Sequence, residues 1–333
     1  MKNVKSRLDK GLEPVVEMLE KAGLSVNLDL DGGLEQARQG TKAILQQAVD
    51  AGNAIAGVTK ETVEVAYPDK SHTIKLNIYK PSDMNETLPV LYHTHGGGLV
   101  MGEPEQQEDF LKTLVKELSC ILVSVDYRLA PEFPFPTPLE DIYLGLKWTL
   151  ENAQRLKIDT TRVVILGESA GGGLTAALAQ LSRDRNEFPS PIAYQLLLYP
   201  MLDCRNTEPL VEDEEDTFVW TKANNIFGWS SYLQDDPLTC DIPAYASPIH
   251  TGNLENLPPA MILIGGIDQF IEENIEYAKP LNKAGVATEL HVYPGGFHGF
   301  EMLAPDLVIS KQLHQDMQNG LKKSLDLALE RKN

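Results

Sequence analysis

A serine stands at a sharp turn between an apolar run and a helical pattern. Residues 162 to 166, Arg-Val-Val-Ile-Leu, are largely apolar and β-branched, as expected of a buried parallel strand. Gly-Glu-Ser-Ala-Gly follows with Ser169 at its centre, and residues 170 to 182 then carry apolar side chains at helical spacing. The glycines two residues either side keep side chains out of a crowded corner. This context predicts a nucleophile on a strand-to-helix turn, with the helix N-terminus aimed at the group it attacks.

A serine hydroxyl is a weak nucleophile until a base accepts its proton, and the chain has seven histidines for that role. His298 lies in a glycine-flanked loop, Gly-Gly-Phe-His-Gly-Phe, after the last predicted strand. The base needs a carboxylate to orient it, and Asp268 ends the preceding apolar run in a turn. Glu272 and Glu273 are the alternatives, although both fall inside the helix predicted next. We therefore predict Ser169 as nucleophile, His298 as base and Asp268 as its orienting acid.

Three consecutive glycines follow His95, directly after another predicted strand. Gly96, Gly97 and Gly98 let the backbone approach a substrate and point N–H groups at a developing oxyanion. A zinc site through His93 and His95 is the alternative, because residues two apart share one face of a strand. The sequence offers no third ligand nearby, so we expect neither a metal nor a cofactor.

Strand and helix patterns alternate along most of the chain. Eight runs have the pattern of strands, and helical stripes separate most of them, which predicts an α/β fold with a mostly parallel, doubly wound sheet. The first two strands alternate with polar residues, as in an antiparallel pair at a sheet edge. The predicted strands lie near residues 63–65, 74–78, 88–93, 121–125, 162–166, 192–199, 260–264 and 289–293.

Two segments stand outside this alternation. Residues 1–55 precede every strand and have the pattern of two helices. Residues 203–248 contain two of the three tryptophans, and they form either an amphipathic helix on the core or a lid whose aromatic side chains line an acyl pocket. The two N-terminal stripes are Leu8, Leu12, Val15, Val16 and Leu19, then Ile44, Leu45, Ala48 and Val49; the apolar face within residues 203–248 is Ala223, Ile226, Phe227 and Leu233.

The composition disfavours several partners and compartments. With 48 acidic and 29 basic side chains, the formal net charge of −19 repels nucleic acid and anionic lipid. The first residues carry charges throughout rather than the apolar stretch of a signal peptide, and no run of about 18 apolar residues predicts a membrane span. Cys120, Cys204 and Cys240 are three widely spaced cysteines, which favours reduced thiols and a cytoplasmic location.

Several separated motifs together resemble the hormone-sensitive-lipase-like branch of the α/β-hydrolase esterases. They are residues 95–98 (His-Gly-Gly-Gly), 126–132 (Asp-Tyr-Arg-Leu-Ala-Pro-Glu) and 167–172 (Gly-Glu-Ser-Ala-Gly-Gly), followed by Asp268 and His298. They occur in the order that this fold requires, and the resemblance runs from about residue 60 to the end.

Two positions depart from the pattern. Many relatives have aspartate in place of the glutamate before the serine, and Gln-Phe follows the aspartate where Pro-Leu is frequent.

The resemblance implies an α/β-hydrolase fold with an eight-stranded, mostly parallel sheet, helices on both faces and a helical cap. Residues 1–55 and about 203–248 would form the cap, and residues 56–333 the catalytic domain that carries the second segment as an insertion. The resemblance also implies roles for single residues. Ser169, Asp268 and His298 would be catalytic; the N–H groups of Gly97, Gly98 and Ala170 would form the oxyanion hole; His95, Gly96 and Glu168 would support it; and Asp126 and Arg128 would tie the turn beneath the site.

We therefore predict a serine carboxylesterase that hydrolyses short-acyl esters through an acyl-enzyme intermediate. Amide or lactone hydrolysis uses the same residues and stays an alternative. A ligand-binding receptor on this fold, of the kind that plant gibberellin receptors represent, is disfavoured because such proteins lose the catalytic histidine. The expected partner is a small-molecule ester, with no nucleic acid and no membrane. The last strand, residues 288–293, would lie at a sheet edge and favours a homodimer, unless the C-terminal helix shields that edge.

Overall fold

One sheet organises the part of the chain that the structure describes. The structure is a computed structural model, and it describes residues 4–22, 28–29, 31–50, 55–206 and 218–330. The strands are β1 (Val58–Ala66), β2 (Thr73–Pro81), β3 (Leu88–Thr94), β4 (Ile121–Asp126), β5 (Ile158–Glu168), β6 (Tyr194–Leu198), β7 (Ala260–Gly265) and β8 (Thr288–Tyr293). Within these residues the strands form one eight-stranded sheet in the order β1-β2-β4-β3-β5-β6-β7-β8.

The sheet is mostly parallel, as the sequence predicted. Among the described strands only β2 runs in the opposite direction, and it pairs antiparallel with β1 on one side and with β4 on the other. All the other pairs are parallel. The hairpin β1-β2 therefore forms one edge, and β8 forms the other. Strand β3 is buried along its whole length, which agrees with its apolar sequence and its central position. Strand β5 begins four residues before the predicted run, because Leu88 pairs with Ile158 ahead of a register shift.

Helices connect the parallel strands and cover the sheet. The connection from β3 to β4 runs toward one edge, whereas those from β5 onward run toward the other, so right-handed crossovers place their helices on opposite faces. No described helix is long and apolar enough to cross a membrane. The helices are α1 (Glu13–Ala22), α2 (Gly33–Asp50), α3 (Glu108–Leu118), α4 (Thr137–Glu151), α5 (Ala153–Leu156), α6 (Ala170–Arg185), α7 (Lys222–Leu233), α8 (Ile271–Lys283), α9 (Phe300–Leu303) and α10 (Val308–Glu330).

The N-terminal segment packs against two loops at the carboxyl ends of the strands. Its predicted first stripe faces inward, with Leu12 and Val16 buried in the core. Arg7 donates a hydrogen bond to the Gly266 carbonyl after β7, at 2.8 Å, and the Asp9 N–H donates to the Gly295 carbonyl after β8, at 3.2 Å. The segment thus satisfies backbone carbonyls of both loops. The side chains of the predicted second stripe (Ile44, Leu45, Ala48 and Val49) lie outside the described residues, as does the acidic run 212–216.

The buried face of α7 differs from the predicted one. Ala223 is exposed, and Ile226, Phe227 and Leu233 are only half-buried. The opposite face packs inward because its polar side chains meet backbone groups of neighbouring loops. The Asn224 side-chain oxygen, for example, accepts a hydrogen bond from the Leu28 N–H at 3.0 Å. The buried residues of α7 are Asn224, Asn225, Gly228, Trp229, Ser231 and Tyr232.

Arg128 ties the turn after β4 to helix α4. Its guanidinium donates two hydrogen bonds to the carboxylate of Asp141, at 2.9 and 2.7 Å, and its backbone N–H donates a third. Tyr67 donates a further hydrogen bond to the same carboxylate. The expected tie through Asp126 and Arg128 is therefore wrong for Asp126, since Asp141 is the buried partner. Burial raises the pKa of Asp126 to about 6.

Replacing Asp141 with asparagine should lower the free energy of unfolding by about 3 kcal/mol, because it leaves the Arg128 charge without its buried partner. Glu140→Gln is the matched control, since the neighbouring Glu140 forms a partly exposed pair with Arg185. That change should cost less than about 1 kcal/mol. Urea unfolding followed by circular dichroism measures both, and equal losses would contradict the assigned role of Asp141.

Candidate active site

Ser169 sits on the turn between β5 and α6 in a strained backbone conformation. Its φ is +57° and its ψ −123°, which few residues other than glycine adopt. A Cβ on Gly167 would lie 2.4 Å from the Gly171 carbonyl oxygen, and one on Gly171 would lie 2.1 Å from the Thr94 carbonyl oxygen. Neither position can carry a side chain. The turn therefore has the geometry of a nucleophile elbow, and it lifts Ser169 above the sheet.

The structure brings Ser169, His298 and Asp268 together from three loops. The Ser169 hydroxyl lies 2.9 Å from His298 Nε2, and His298 Nδ1 lies 2.8 Å from Asp268 Oδ2. The second oxygen of Asp268 accepts the Phe270 N–H at 2.9 Å. All three catalytic candidates are buried by more than nine-tenths of their surface. The arrangement allows the serine to donate its proton to an imidazole whose other nitrogen is held by a carboxylate.

The two alternative acids lie elsewhere. Both are on α8, as predicted, and Glu272 is exposed. Glu273 is buried, but its carboxylate accepts hydrogen bonds from the Leu202 N–H, at 2.6 Å, and from the Asn206 side chain, at 2.5 Å. Its role is to hold the chain after β6 against α8.

The glycine loop after β3 presents free backbone donors beside the serine. Within the described residues, the N–H groups of Gly97 and Gly98 donate to no protein acceptor. The N–H of Ala170 opens α6, where the first donors of a helix have no intrahelical partner. Gly97 has a φ of +121°, and a Cβ there would lie 2.0 Å from the Met101 carbonyl oxygen. Only glycine fits this position, and the loop can therefore offer N–H groups to an oxyanion.

A buried carboxylate joins the glycine loop to the serine turn. Glu168 Oε1 accepts the Gly96 N–H at 2.9 Å and the Gln107 side chain at 2.8 Å, while Oε2 lies 2.9 Å from His93 Nε2. Burial alone would raise the pKa of Glu168, but His93 and the Gly96 N–H hold it below its ordinary value. The other nitrogen of His93 lies 2.7 Å from Ser124 Oγ. Both nitrogens of His93 are thus engaged, which leaves neither for the zinc alternative.

His95 supports the glycine loop from the side. Its Nδ1 donates to the Gly96 carbonyl at 2.8 Å, and its ring stacks on Tyr127 at a centroid distance of 4.2 Å. The Tyr127 hydroxyl in turn donates to the His95 carbonyl at 2.8 Å. Burial lowers the pKa of His95 to about 4, so this imidazole is neutral at physiological pH.

Aromatic residues that precede α7 contact both loops of the site. The Trp220 ring lies so close to Gly98 that a Cβ on that glycine would be 1.9 Å from it. The rings of Phe218 and Phe297 lie 5.5 Å apart, and Phe297 immediately precedes the candidate base. Of the two hypotheses for residues 203–248, these contacts favour the lid, and it is Phe218 and Trp220 rather than the predicted face of α7 that reach the site.

Two buried residues beside the candidate base were missed by the sequence analysis. Tyr199 follows β6, its ring forms a T-shaped contact with that of His298, and its hydroxyl donates to Glu301 at 2.6 Å. The pair is separated by about a hundred residues in sequence, so no local spacing indicates it. The sequence signal that could have drawn attention is Glu301 itself, an acidic residue three positions after His298.

A set of potential metal ligands lies outside this site. Asp203, Cys204 and His250 place a carboxylate oxygen, a thiol and an imidazole nitrogen within 4.8 Å of one another. Sequence spacing did not indicate this cluster, since His250 is far from the other two. The Asp203 carboxylate already accepts from His250, at 2.7 Å, and from the Arg205 N–H, at 2.8 Å. These contacts account for the cluster as a tie between two loops.

Known proteins resemble this chain over most of its length. Residues 91–302 match the model of a family described by the alpha/beta hydrolase fold. The esterase LipI of Mycobacterium tuberculosis is 32% identical over 276 residues, which cover 82% of this chain and 83% of that protein. An ethyl acetate hydrolase of Pseudomonas putida is 30% identical over 231 residues, which cover 69% and 72%. A solved bacterial heroin esterase superposes with a TM-score of 0.88 at 32% identity, covering 96% of this chain and 98% of that one.

Gly97→Ala should lower kcat for p-nitrophenyl acetate by about 10² to 10³, because the new methyl group displaces a donor of the glycine loop. Gly285→Ala is the matched control. Gly285 also has a positive φ, +81°, but a Cβ there meets nothing within 4 Å. The control carries a similar backbone strain and should keep its kcat. Unchanged kcat in a folded Gly97→Ala variant would place the oxyanion donors elsewhere.

Proposed function

Because this chain belongs to the hormone-sensitive-lipase-like family of α/β-hydrolases and is a carboxylic ester hydrolase, we propose that Ser169 is its nucleophile, His298 its general base and Asp268 the acid that orients the base. The single observation that carries this proposal is the continuous hydrogen-bonded path from Ser169 Oγ through both nitrogens of His298 to Asp268 Oδ2. Each residue occupies the role that its chemistry suits.

Acylation begins when Ser169 Oγ attacks the ester carbonyl and its proton passes to His298 Nε2. The carbonyl π electrons move to oxygen, and the N–H groups of Gly97, Gly98 and Ala170 stabilise the resulting oxyanion. The oxyanion then re-forms the carbonyl as the C–O bond to the alcohol breaks. His298 gives its proton to the departing alkoxide, which leaves an acyl-enzyme on Ser169. Asp268 holds His298 Nδ1 and stabilises the imidazolium during both transfers.

Deacylation repeats these steps with water as the nucleophile. Water loses a proton to His298 Nε2 as its oxygen bonds to the acyl carbon, and the oxyanion occupies the same three donors. The bond to Ser169 Oγ then breaks, and His298 returns the proton to the serine. The products are a carboxylic acid and an alcohol, so the cycle consumes one water and needs neither a metal nor a cofactor.

We propose short-acyl esters of small alcohols as the substrate class. Residues 1–55 and 203–248 would form a cap, in which Trp220 lies against Gly98 and Phe218 against Phe297. Bulky rings this close to the oxyanion donors and the base restrict the room for a long acyl chain. The ethyl acetate hydrolase among the relatives acts, by its name, on such a small ester.

Amide or lactone hydrolysis through the same residues is the second candidate function. A serine, its base and three oxyanion donors serve all three reactions, and the ester is favoured by the relatives named esterase. The receptor hypothesis is disfavoured because His298 lies within hydrogen-bonding distance of Ser169.

We also propose a cytoplasmic homodimer. Cys120, Cys204 and Cys240 are free thiols, which suits a reducing compartment. Among the described strands β8 pairs only with β7, and Val292 is 42% exposed at that edge. A two-fold axis beside β8 would pair it with its copy.

Ser169→Ala should lower kcat for p-nitrophenyl acetate by about 10⁶, because a triad acts as a unit. A fluorophosphonate should label Ser169 in the wild-type chain and nothing in the variant.

A panel of p-nitrophenyl acetate, butyrate, octanoate and laurate should show kcat/KM falling with chain length. An amide and a lactone of the preferred acid complete the panel. Retention of more than about a tenth of the wild-type kcat would exclude Ser169 as nucleophile.

Activity should fall on the acid side of the pH profile, because a histidine base accepts a proton only when neutral. Asp268→Asn should lower kcat by about 10⁴, since the imidazole loses control of its tautomer. Glu273→Gln tests the alternative acid on α8. If Glu273→Gln were the more damaging change in a folded variant, Asp268 would not be the orienting acid.

Light scattering at micromolar concentration should give twice the chain mass of 36.8 kDa. Val292→Lys should shift the protein toward the monomer, because a two-fold axis brings like charges together. Val308→Lys is the control, since Val308 is 86% exposed at the start of α10. A wild-type mass near 36.8 kDa would rule the dimer out.

A further inference from the structure

Two aromatic side chains contact the imidazole of His298 in T-shaped geometry. The ring of Tyr199 lies 4.8 Å from it at an interplanar angle of 68°, and the ring of Phe270 lies 5.2 Å away at 89°. Edge-to-face contacts of this kind are favourable and directional. The imidazole therefore cannot turn away from Ser169 without displacing one of these rings.

Tyr199 occupies a strained backbone position. Its φ is +35°, directly after the end of β6, and its N–H donates to the Leu263 carbonyl at 2.7 Å. A bulky residue with a positive φ is uncommon, and such strain clusters at functional sites. The side chain is 1% exposed, and its hydroxyl donates to Glu301 Oε1 at 2.6 Å. Backbone and hydroxyl together fix the ring that contacts His298.

Glu301 is a buried carboxyl that the proposed reaction does not use. It lies on α9, just after the loop that carries His298, and is 2% exposed. Its Oε2 has no hydrogen-bond partner within the described residues. A half-satisfied carboxyl in an apolar place is costly, so stability alone would favour an apolar side chain here. This unfavourable burial raises the pKa of Glu301 to about 7.

The charges around Glu301 belong to the active site. His298 favours its ionised form, whereas Asp268 disfavours it, and the Tyr199 hydroxyl donates to it. Within the part of the chain that the structure describes, the charge of Glu301 also acts on Tyr293, at the end of β8, and raises its pKa. An ionised Glu301 and an imidazolium at His298 therefore stabilise each other.

We propose that Tyr199 and Glu301 are positioning residues for His298. Glu301 fixes the Tyr199 hydroxyl, the Tyr199 ring holds the imidazole with Nε2 toward Ser169, and the negative charge of Glu301 favours the imidazolium that forms as Ser169 loses its proton. The inference rests on the proposed roles of Ser169 and His298 and deepens them.

Glu301→Gln is the main test, because glutamine keeps the volume and an acceptor for Tyr199 but removes the charge. We expect kcat to fall by up to about tenfold, which corresponds to the loss of an interaction worth about one pKa unit of the base. KM should change less than about twofold, since the contact acts on the base rather than on bound substrate. The midpoint of the acid limb of kcat/KM should move to lower pH by about half a unit or more, because the imidazolium loses a favourable charge.

Tyr199→Phe is the second variant. It keeps the aromatic ring beside His298 and removes only the hydroxyl. Like Glu301→Gln, it should lower kcat. If the pair acts as a unit, the double variant should be no worse than the more damaging single variant. In every variant kcat is divided by the fluorophosphonate-titrated sites, so that unfolded protein does not count as lost catalysis.

Glu273→Gln is the matched control, since Glu273 is also 2% exposed but is bonded to the Leu202 N–H and Asn206. It should lower the melting temperature without moving the midpoint. An unmoved midpoint and wild-type kcat per titrated site in Glu301→Gln and Tyr199→Phe would overturn the positioning role. That result is distinct from failure of the proposed function, in which Ser169→Ala would itself stay active.

Discussion

The hydrogen bond between Ser169 and His298 constrains the rest of the structure, because its two residues follow β5 and β8, strands that have β6 and β7 between them. Adjacent strands lie about 4.8 Å apart, so the ends of β5 and β8 are separated by about 14 Å. The loop after β8 must turn back across the ends of β6 and β7 to bring the imidazole within 2.9 Å of the serine. The backbone beneath this loop must therefore leave space for it, and other residues must restrain the loop from outside.

A glycine beneath the loop that carries His298 leaves space for its backbone, and the N-terminal segment restrains the loop from outside. A Cβ on Gly265, at the end of β7, would lie 2.2 Å from the Gly296 carbonyl oxygen, so the returning loop crosses directly over this glycine. From outside, Arg7 and the Asp9 N–H bond carbonyls of the β7 and β8 loops. The N-terminal segment, which the sequence predicted to be part of a cap, thus also restrains the loop that carries His298. Its hydrogen bonds give two loop carbonyls the partners that buried backbone groups need.

The residues of the site could be predicted where their signal is local, and not where it is long-range. Ser169, Asp268 and His298 each follow an apolar strand in a turn or glycine-flanked loop, and this pattern is visible in a few neighbouring residues. The contact of Arg128 with Asp141 joins a loop to a helix 13 residues later, and that of Tyr199 with Glu301 joins residues 102 apart, so neither produces a periodicity.

The error on α7 has a different cause. Hydrophobic periodicity predicts which face of a helix is buried when the neighbouring surface is apolar. Helix α7 instead packs on loops whose backbone groups need partners: Asn224 meets the Leu28 N–H and Asn225 donates to the Asn206 carbonyl. Gly228 lies against the Gly98 carbonyl, where a Cβ would be 2.6 Å from the oxygen. Polar and small residues therefore face inward together with Trp229 and Tyr232, and the apolar periodicity did not predict this mixed face.

The buried carboxylates around the serine differ in how fully they are satisfied. Glu168 and Asp268 have hydrogen-bond partners on both oxygens, and for Glu168 one of these is His93. The Glu168 side chain spans from the Gly96 N–H to His93 and so joins the glycine loop to β3. Carboxylates with partners on both oxygens are rigidly held and act as fixed supports. Glu301 has a partner on one oxygen only among the described residues, so its charge responds to the imidazole beside it. The site thus combines two carboxylates that have partners on both oxygens with a third, Glu301, whose ionisation is coupled to the base.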